Sequence, residues 1–185
     1  MDKKIIIVIN EYKYSLKNIL KKYSILEVNL DENNEIYNII DSVKEEIVII
    51  CIDIKEIEKL KYLNKKINPD IIFIPKIENT YTKSIEVKEY KYIKKGLKKL
   101  KNKTLIINDN DKYLKNIFNN KLDIYRYGNN IYDDIEYIKD KNNLIVKYQD
   151  KKYNIKNKEP DIIGNIIIGL LFGENIENLI DKINN

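Results

Sequence analysis

Between Asn68 and Asp111 the sequence reads as strand, loop, helix and strand, and this order restricts the fold more than any other stretch. Ile71 to Pro75 is a short apolar run introduced by Pro69. A second run, Leu105 to Ile107, stops at the polar cluster Asn108, Asp109, Asn110 and Asp111. Between them Val87, Tyr90, Ile93, Leu97 and Leu100 recur at helical spacing. Two strands joined by such a helix form a βαβ crossover, which makes the strands parallel. Ligands of parallel sheets sit at the carboxyl ends of the strands, where both Pro75-Lys76 and Asn108 to Asp111 fall.

The rest of the chain extends this pattern. Lys4 to Ile9 is a continuous apolar run, as expected of a parallel strand covered on both faces. Leu16, Ile19, Leu20 and Tyr23 mark one face of a helix, which leaves Asn10 to Tyr14 as the turn before it. Ser24 to Leu30 and Ile47 to Ile52 read as strands, separated by a helix through Ile36, Ile39, Ile40 and Val43 after a cap at Asp31. Asp53-Ile54-Lys55-Glu56 has a capping-box pattern opening a helix through Leu60 and Leu63. Lys112 to Phe118 reads as a short helix and Leu122 to Tyr127 as a strand ending at Gly128. Short alternating strands follow over Asn130 to Tyr137, Leu144 to Tyr148 and Lys152 to Ile155. An apolar helix, Ile166 to Phe172, ends at Gly173 before an amphipathic segment through Ile183. The expected fold class is α/β: a mostly parallel sheet flanked by helices, with a small antiparallel meander near residues 122–156, in one domain over residues 1–185.

Composition narrows the function classes. The net charge of +5 is carried by lysines, and Arg126 is the only arginine. Ile, Lys, Asn and Tyr dominate while Ala, His and Trp are missing, a bias expected of an AT-rich genome. Basicity is therefore a weak argument for nucleic acid, and the lysine-covered helix from Lys91 onward is read as a solvated face. Cys51, the single cysteine, excludes an internal disulfide and a cysteine-based zinc site. Asp133 and Asp134 are adjacent in a strand and point to opposite faces, which argues against a shared ion. The apolar runs fall short of the ~20 residues a membrane span needs, so a cytoplasmic protein is expected.

Several polar positions stand at the ends of the apolar runs. Asn10-Glu11-Tyr12-Lys13-Tyr14-Ser15 occupies the turn where a nucleotide-binding α/β protein carries glycines, and it has none. Lys94, four residues after Tyr90 and three before Leu97, is placed by spacing within the apolar stripe of its helix.

Taken together these residues resemble the central ATP-binding domain of the Mur ligases, a family of ATP-dependent amide ligases. The match rests on Pro69-Asp70, on Tyr90 with Lys94, on Asn108 to Asp111 and on Asn165, in that order. The resemblance implies a phosphate-loop-like sheet. It also implies vestigial cofactor positions at Lys13, Ser15, Lys94, Asn108, Asp111 and Asn165, with Lys94 matching a lysine that is often carbamylated near magnesium. The departures are concentrated at polar sites. The glycine-rich phosphate loop is replaced, Ile50 or Cys51 stands where the family has a glutamate, Tyr81 where it has a histidine, and Ile162 where it has a first adenine-contacting asparagine. The family's two further domains have no room in 185 residues.

The expectation is therefore a non-catalytic pseudo-ligase with no catalytic residues, no metal and no cofactor, acting through a protein partner or as a homo-oligomer. The alternative is a divergent ATP-dependent amide ligase or nucleotide-binding protein using ATP and Mg through Lys13, Ser15, Lys94 and Asp111.

Overall fold

The computed structural model describes residues 3–9, 16–30, 40–77 and 83–185, except for the side chain of Lys55. The expectations for Asn10 to Ser15, including Lys13 and Ser15, and those for Asp31 to Ile39 and Tyr81 lie outside the described residues. The described elements are β1 (Lys4–Ile9), α1 (Leu16–Ile19), β2 (Ile25–Asn29), β3 (Ile47–Ile52), a 3-10 segment (Ile54–Lys59) leading into α2 (Leu60–Lys66), and β4 (Ile71–Ile74). They continue with α3 (Lys83–Leu97), β5 (Lys103–Asn108), a 3-10 turn (Leu114–Asn116), β6 (Leu122–Gly128), β7 (Ile135–Asp140), β8 (Asn143–Tyr148), β9 (Lys151–Ile155), α4 (Ile162–Leu171) and α5 (Ile176–Asn184).

The described strands form one sheet in the order β2-β3-β1-β4-β5-β6-β7-β8-β9. Every pairing from β2 through β7 is parallel, with Ile6 between Ile49 and Ile71. Period-two alternation sends Ile6, Val8, Ile49, Phe73 and Ile106 to the face covered by α1, α4 and α5. Their neighbours Ile7, Ile9, Val48, Ile72 and Ile107 go to the face covered by α2 and α3. Runs of β-branched isoleucine with no polar interruption suit strands buried on both sides. At the amino ends, the Asp70 carboxylate accepts the Ile5 N–H at 2.9 Å and lies 3.4 Å from Lys4 Nζ. The Pro69-Asp70 pair thus ties β1 to β4.

Four expectations change. Leu122–Gly128 is parallel to both neighbours, so the antiparallel meander comprises only β7, β8 and β9. Its second hairpin turns through Gln149 (φ 47°) and Asp150 (φ 62°), two positive-φ residues whose twist matches paired strands. The helix expected over Lys112 to Phe118 is only the 3-10 turn, because Ile117 goes extended and buries its side chain. Helix α4 begins at Ile162, four residues earlier than expected. It ends as expected, with Gly173 at φ 78° and Glu174 N–H bonded to the Gly169 carbonyl.

The phase of α3 is the fourth change. Glu86, Glu89, Ile93, Gly96 and Leu97 form its buried face, while Val87 and Tyr90 are half-buried. Ile93, Leu97 and Leu100 are buried as expected, but in the first turns the stripe runs one residue earlier, through Glu86 and Glu89, and Lys94, expected within it, is exposed. Two glutamates on the buried face hid the true phase from hydrophobic periodicity.

Helix α4 lies so close to the sheet that a Cβ on Gly164 would stand 2.1 Å from Cζ of Phe73, a fully buried ring. Gly164→Ala is expected to lower the unfolding free energy by about 2–3 kcal/mol, since overpacking forces ring or helix to move. Chemical denaturation of the variant checks this, and wild-type stability would contradict the close approach.

Candidate functional site

In this strand order the chain leaves β1 toward one edge of the sheet and leaves β4 toward the other. Adjacent parallel strands whose connections diverge leave a crevice beyond their carboxyl ends. A cavity of about 200 Å³ opens at this end of the sheet. Lys76 enters from the loop after β4, and Asn108, Asn110 and Asp111 from the end of β5. Tyr137 and Lys139 come from β7, and Glu159, Pro160 and Asp161 from the approach to α4.

Asp111 is the centre of the polar network. One carboxylate oxygen accepts the Ile77 N–H at 2.7 Å, and the other accepts the N–H groups of Tyr113 at 2.9 Å and Leu114 at 3.1 Å. Its side chain thus pins the loop after β4 and caps the 3-10 turn. Asn108 Oδ1 accepts the Asn110 N–H at 3.0 Å, closing an Asx turn. Asn110 donates to the Tyr137 hydroxyl at 2.8 Å and accepts from the Asn129 N–H at 3.2 Å. Arg126 donates to Asp109 and to the Ile117 carbonyl. A Cβ on Gly128 would stand 2.5 Å from an Asp133 oxygen and 3.1 Å from Asn110 Oδ1, so the chain passes tightly beneath this network.

The second wall carries a half-buried carboxyl, Asp161. Burial pushes Asp161 up from the ordinary carboxylate value, and Lys76 and the Tyr127 hydroxyl only partly offset that shift. The Tyr127 hydroxyl donates to Asp161 at 3.4 Å from a fully buried ring. Burial also raises Tyr137. Farther along, the Glu86 carboxylate accepts from the Tyr113 hydroxyl at 3.1 Å. Glu89 is 4% exposed, and among the described residues neither oxygen has a hydrogen-bond partner. Burial first, then Glu86 and Asp53, raise its pKa. Among the described residues no group of three His, Cys, Asp or Glu side chains is placed to hold a metal ion.

Of the residues singled out by sequence, Asn108 and Asp111 line this cavity together. Asn165 does not line it. It is fully buried one turn into α4, and among the described residues neither amide atom has a hydrogen-bond partner. Lys94 is also elsewhere, with its ammonium 5.4 Å from the centre of the Tyr90 ring. Sequence reasoning missed Tyr137 and Glu159 as cavity residues. The inward alternation of Ile135 and Tyr137 was a signal for the first, but the pairing of β7 beside β6 that brings it here is not local.

Two outcomes follow for the network. Asp111→Ala orphans three buried or half-buried N–H groups and is expected to cost about 3 kcal/mol of stability, measured by denaturant titration. Asp161→Asn tests the buried carboxyl. A carboxyl whose folded pKa is raised contributes stability below its ordinary value of 3.8 that is lost as pH rises through the folded value. The variant is therefore expected to melt higher than wild type at neutral pH, with the difference vanishing in acid. A pH series of thermal melts checks the sign.

A scan against protein-family models finds no match, and the search of curated proteins finds none. Among solved structures, the MurF ligase of Thermotoga maritima in complex with ADP is similar over 100% of this chain and 48% of that one, with 15% identity and a TM-score of 0.70. The UDP-N-acetylmuramoylalanyl-D-glutamyl-2,6-diaminopimelate–D-alanyl-D-alanyl ligase of Acinetobacter baumannii is similar over 99% and 46%, with 13% identity and a TM-score of 0.70. A third ligase, UDP-N-acetylmuramate:L-alanyl-gamma-D-glutamyl-meso-diaminopimelate ligase from Neisseria meningitides, gives 98% and 65% at 8% identity and a TM-score of 0.61. The chain thus spans about half the length of the first two, and at such identities the likeness is one of architecture. A mostly parallel sheet ending in three antiparallel-paired strands, matched end to end by these enzymes, gives this protein a Mur-ligase-like α/β fold.

Proposed function

We propose that this chain is a Mur-ligase-like scaffold that does not carry out ligase chemistry and works by binding another protein. The observation that carries this reading is the state of Asp111, whose two oxygens are already committed to three backbone N–H groups. Binding a magnesium ion there would require giving up the bonds that hold two loops in place. The sequence supports the same reading. A triphosphate needs backbone N–H groups approached through glycine, and a lysine to offset charge. All five glycines of the chain lie elsewhere, at Gly96, Gly128, Gly164, Gly169 and Gly173.

The competing reading, a divergent ATP-dependent amide ligase or nucleotide-binding protein, has one observation in its favour. A fully buried amide without a partner, as at Asn165, costs about 1–3 kcal/mol unless something satisfies it. The structure with the same fold from Thermotoga maritima is a complex with ADP. A ligand reaching Asn165 would meet that need.

Isothermal titration of the full chain with Mg-ATP separates the two. The expected outcome is no saturable heat, and micromolar binding abolished by Asn165→Ala would establish the competing reading instead.

A further inference from the structure

We propose that a lysine-rimmed groove at the opposite end of α3 is the docking site for an acidic, apolar-anchored segment of a partner protein. The groove has a volume of about 580 Å³ and lies between the last turns of α3 and the 117–121 segment. Its floor is Leu97 and Ile117, both buried. Phe118 stands at its edge with 86% of its surface exposed. Lys94, Lys95, Lys98 and Lys121 line it and are all exposed. None of these four lysines pairs with a carboxylate of the described residues, and no acidic residue occurs in the sequence between Glu89 and Asp109.

The groove is built rather than accidental. Asn119 donates to the Leu97 carbonyl at 3.2 Å, and the Asn102 N–H reaches the Lys121 carbonyl at 2.8 Å. Both bonds hold the loop against the end of the helix. The helix terminus concentrates negative partial charge, which four ammonium groups more than offset. The result is a concave apolar floor ringed by cations that no carboxylate of the described residues neutralises. Such a surface complements a segment that places one apolar side chain against Phe118 and carboxylates around it.

Single-stranded nucleic acid fits the surface less well. Base stacking needs open aromatic faces. Tyr92 is flanked by the ammonium groups of Lys88 at 5.7 Å and Lys95 at 5.8 Å. Tyr90 lies against Lys94 and, at 5.7 Å, the Tyr113 ring. Only Phe118 remains free among the groove's aromatic neighbours, and the only arginine is held by Asp109.

This assignment rests on the protein-binding reading and is tested apart from it. The probe is a fluorescein-labelled synthetic peptide with leucines at helical spacing among glutamates, titrated with the full chain and followed by fluorescence polarisation. Saturable binding is expected, weakened about tenfold by Phe118→Ala and about tenfold by the pair Lys95→Glu and Lys98→Glu. All three side chains are exposed, so the variants should fold, and their thermal melts confirm it. No binding, binding that ignores Phe118→Ala, or tighter binding of an oligothymidine than of the peptide would each overturn the assignment. Mg-ATP titration of the same samples keeps the two apart: nucleotide binding would end the underlying reading, whereas silence toward both ligands would end only the groove's assignment.

Discussion

A parallel sheet has to be covered on both faces, and nearly everything else in this chain follows from how it does so. The strands are written in isoleucine, whose branched side chain fills the space above and below the pleat without a polar atom. Helices α1, α4 and α5 close one face, and α2 and α3 close the other. The approach is tight enough that Gly164 and Gly169 would place a Cβ within 3 Å of Phe73 and Leu179 side-chain atoms. Gly164 thus lets α4 approach the sheet, and Gly169 lets it approach α5. None of the chain's glycines falls between Ile9 and Leu16, where ligand chemistry on this kind of sheet usually begins.

Parallel sheets also gather their loops at one end, and loops without glycine need another means of holding their shape. Here side-chain amides and carboxylates supply it. Asp111 fixes the loop after β4 to the turn after β5, while Asn110 links Asn129 to Tyr137. Polar residues at strand ends usually invite a ligand interpretation, yet each of these has a backbone group or a hydroxyl as its partner. Their residue types are shared by a binding site and a structural brace, and only the hydrogen-bond partners distinguish the two.

Much of this was legible in the sequence. The bounds of β3 and the position of Asn108 to Asp111 at a strand end followed from unbroken apolar runs. The end of α4 followed from Gly173. What could not be read has identifiable causes. Glu86 and Glu89 are buried carboxylates, so any scale that treats glutamate as exposed turns α3 away from its true orientation and places Lys94 inside. The role of β6 was misjudged because alternation alone does not tell an interior parallel strand from the first strand of a meander. The cavity itself depends on Tyr137 of β7 meeting Asp161 at the start of α4, and neither carries a local signal for that encounter.

Helix α3 shows why the two ends of this molecule differ. Its first turns carry Glu86 and Glu89 toward the strand ends, and its last carry Lys94, Lys95 and Lys98. Both choices complement the helix dipole, which favours carboxylates at the start and cations at the finish. They also place buried acid near the carboxyl ends of the strands and exposed cations at the far end of the helix. Glu89 holds its proton more firmly than an ordinary carboxyl because burial and two nearby acids oppose its charge. In the proposed docking reading, an acidic segment meets Lys94, Lys95, Lys98 and Lys121 beside Phe118. That end of α3 offers exposed cations and an apolar floor of Leu97 and Ile117 in one place, the combination an acidic segment with one apolar side chain would use.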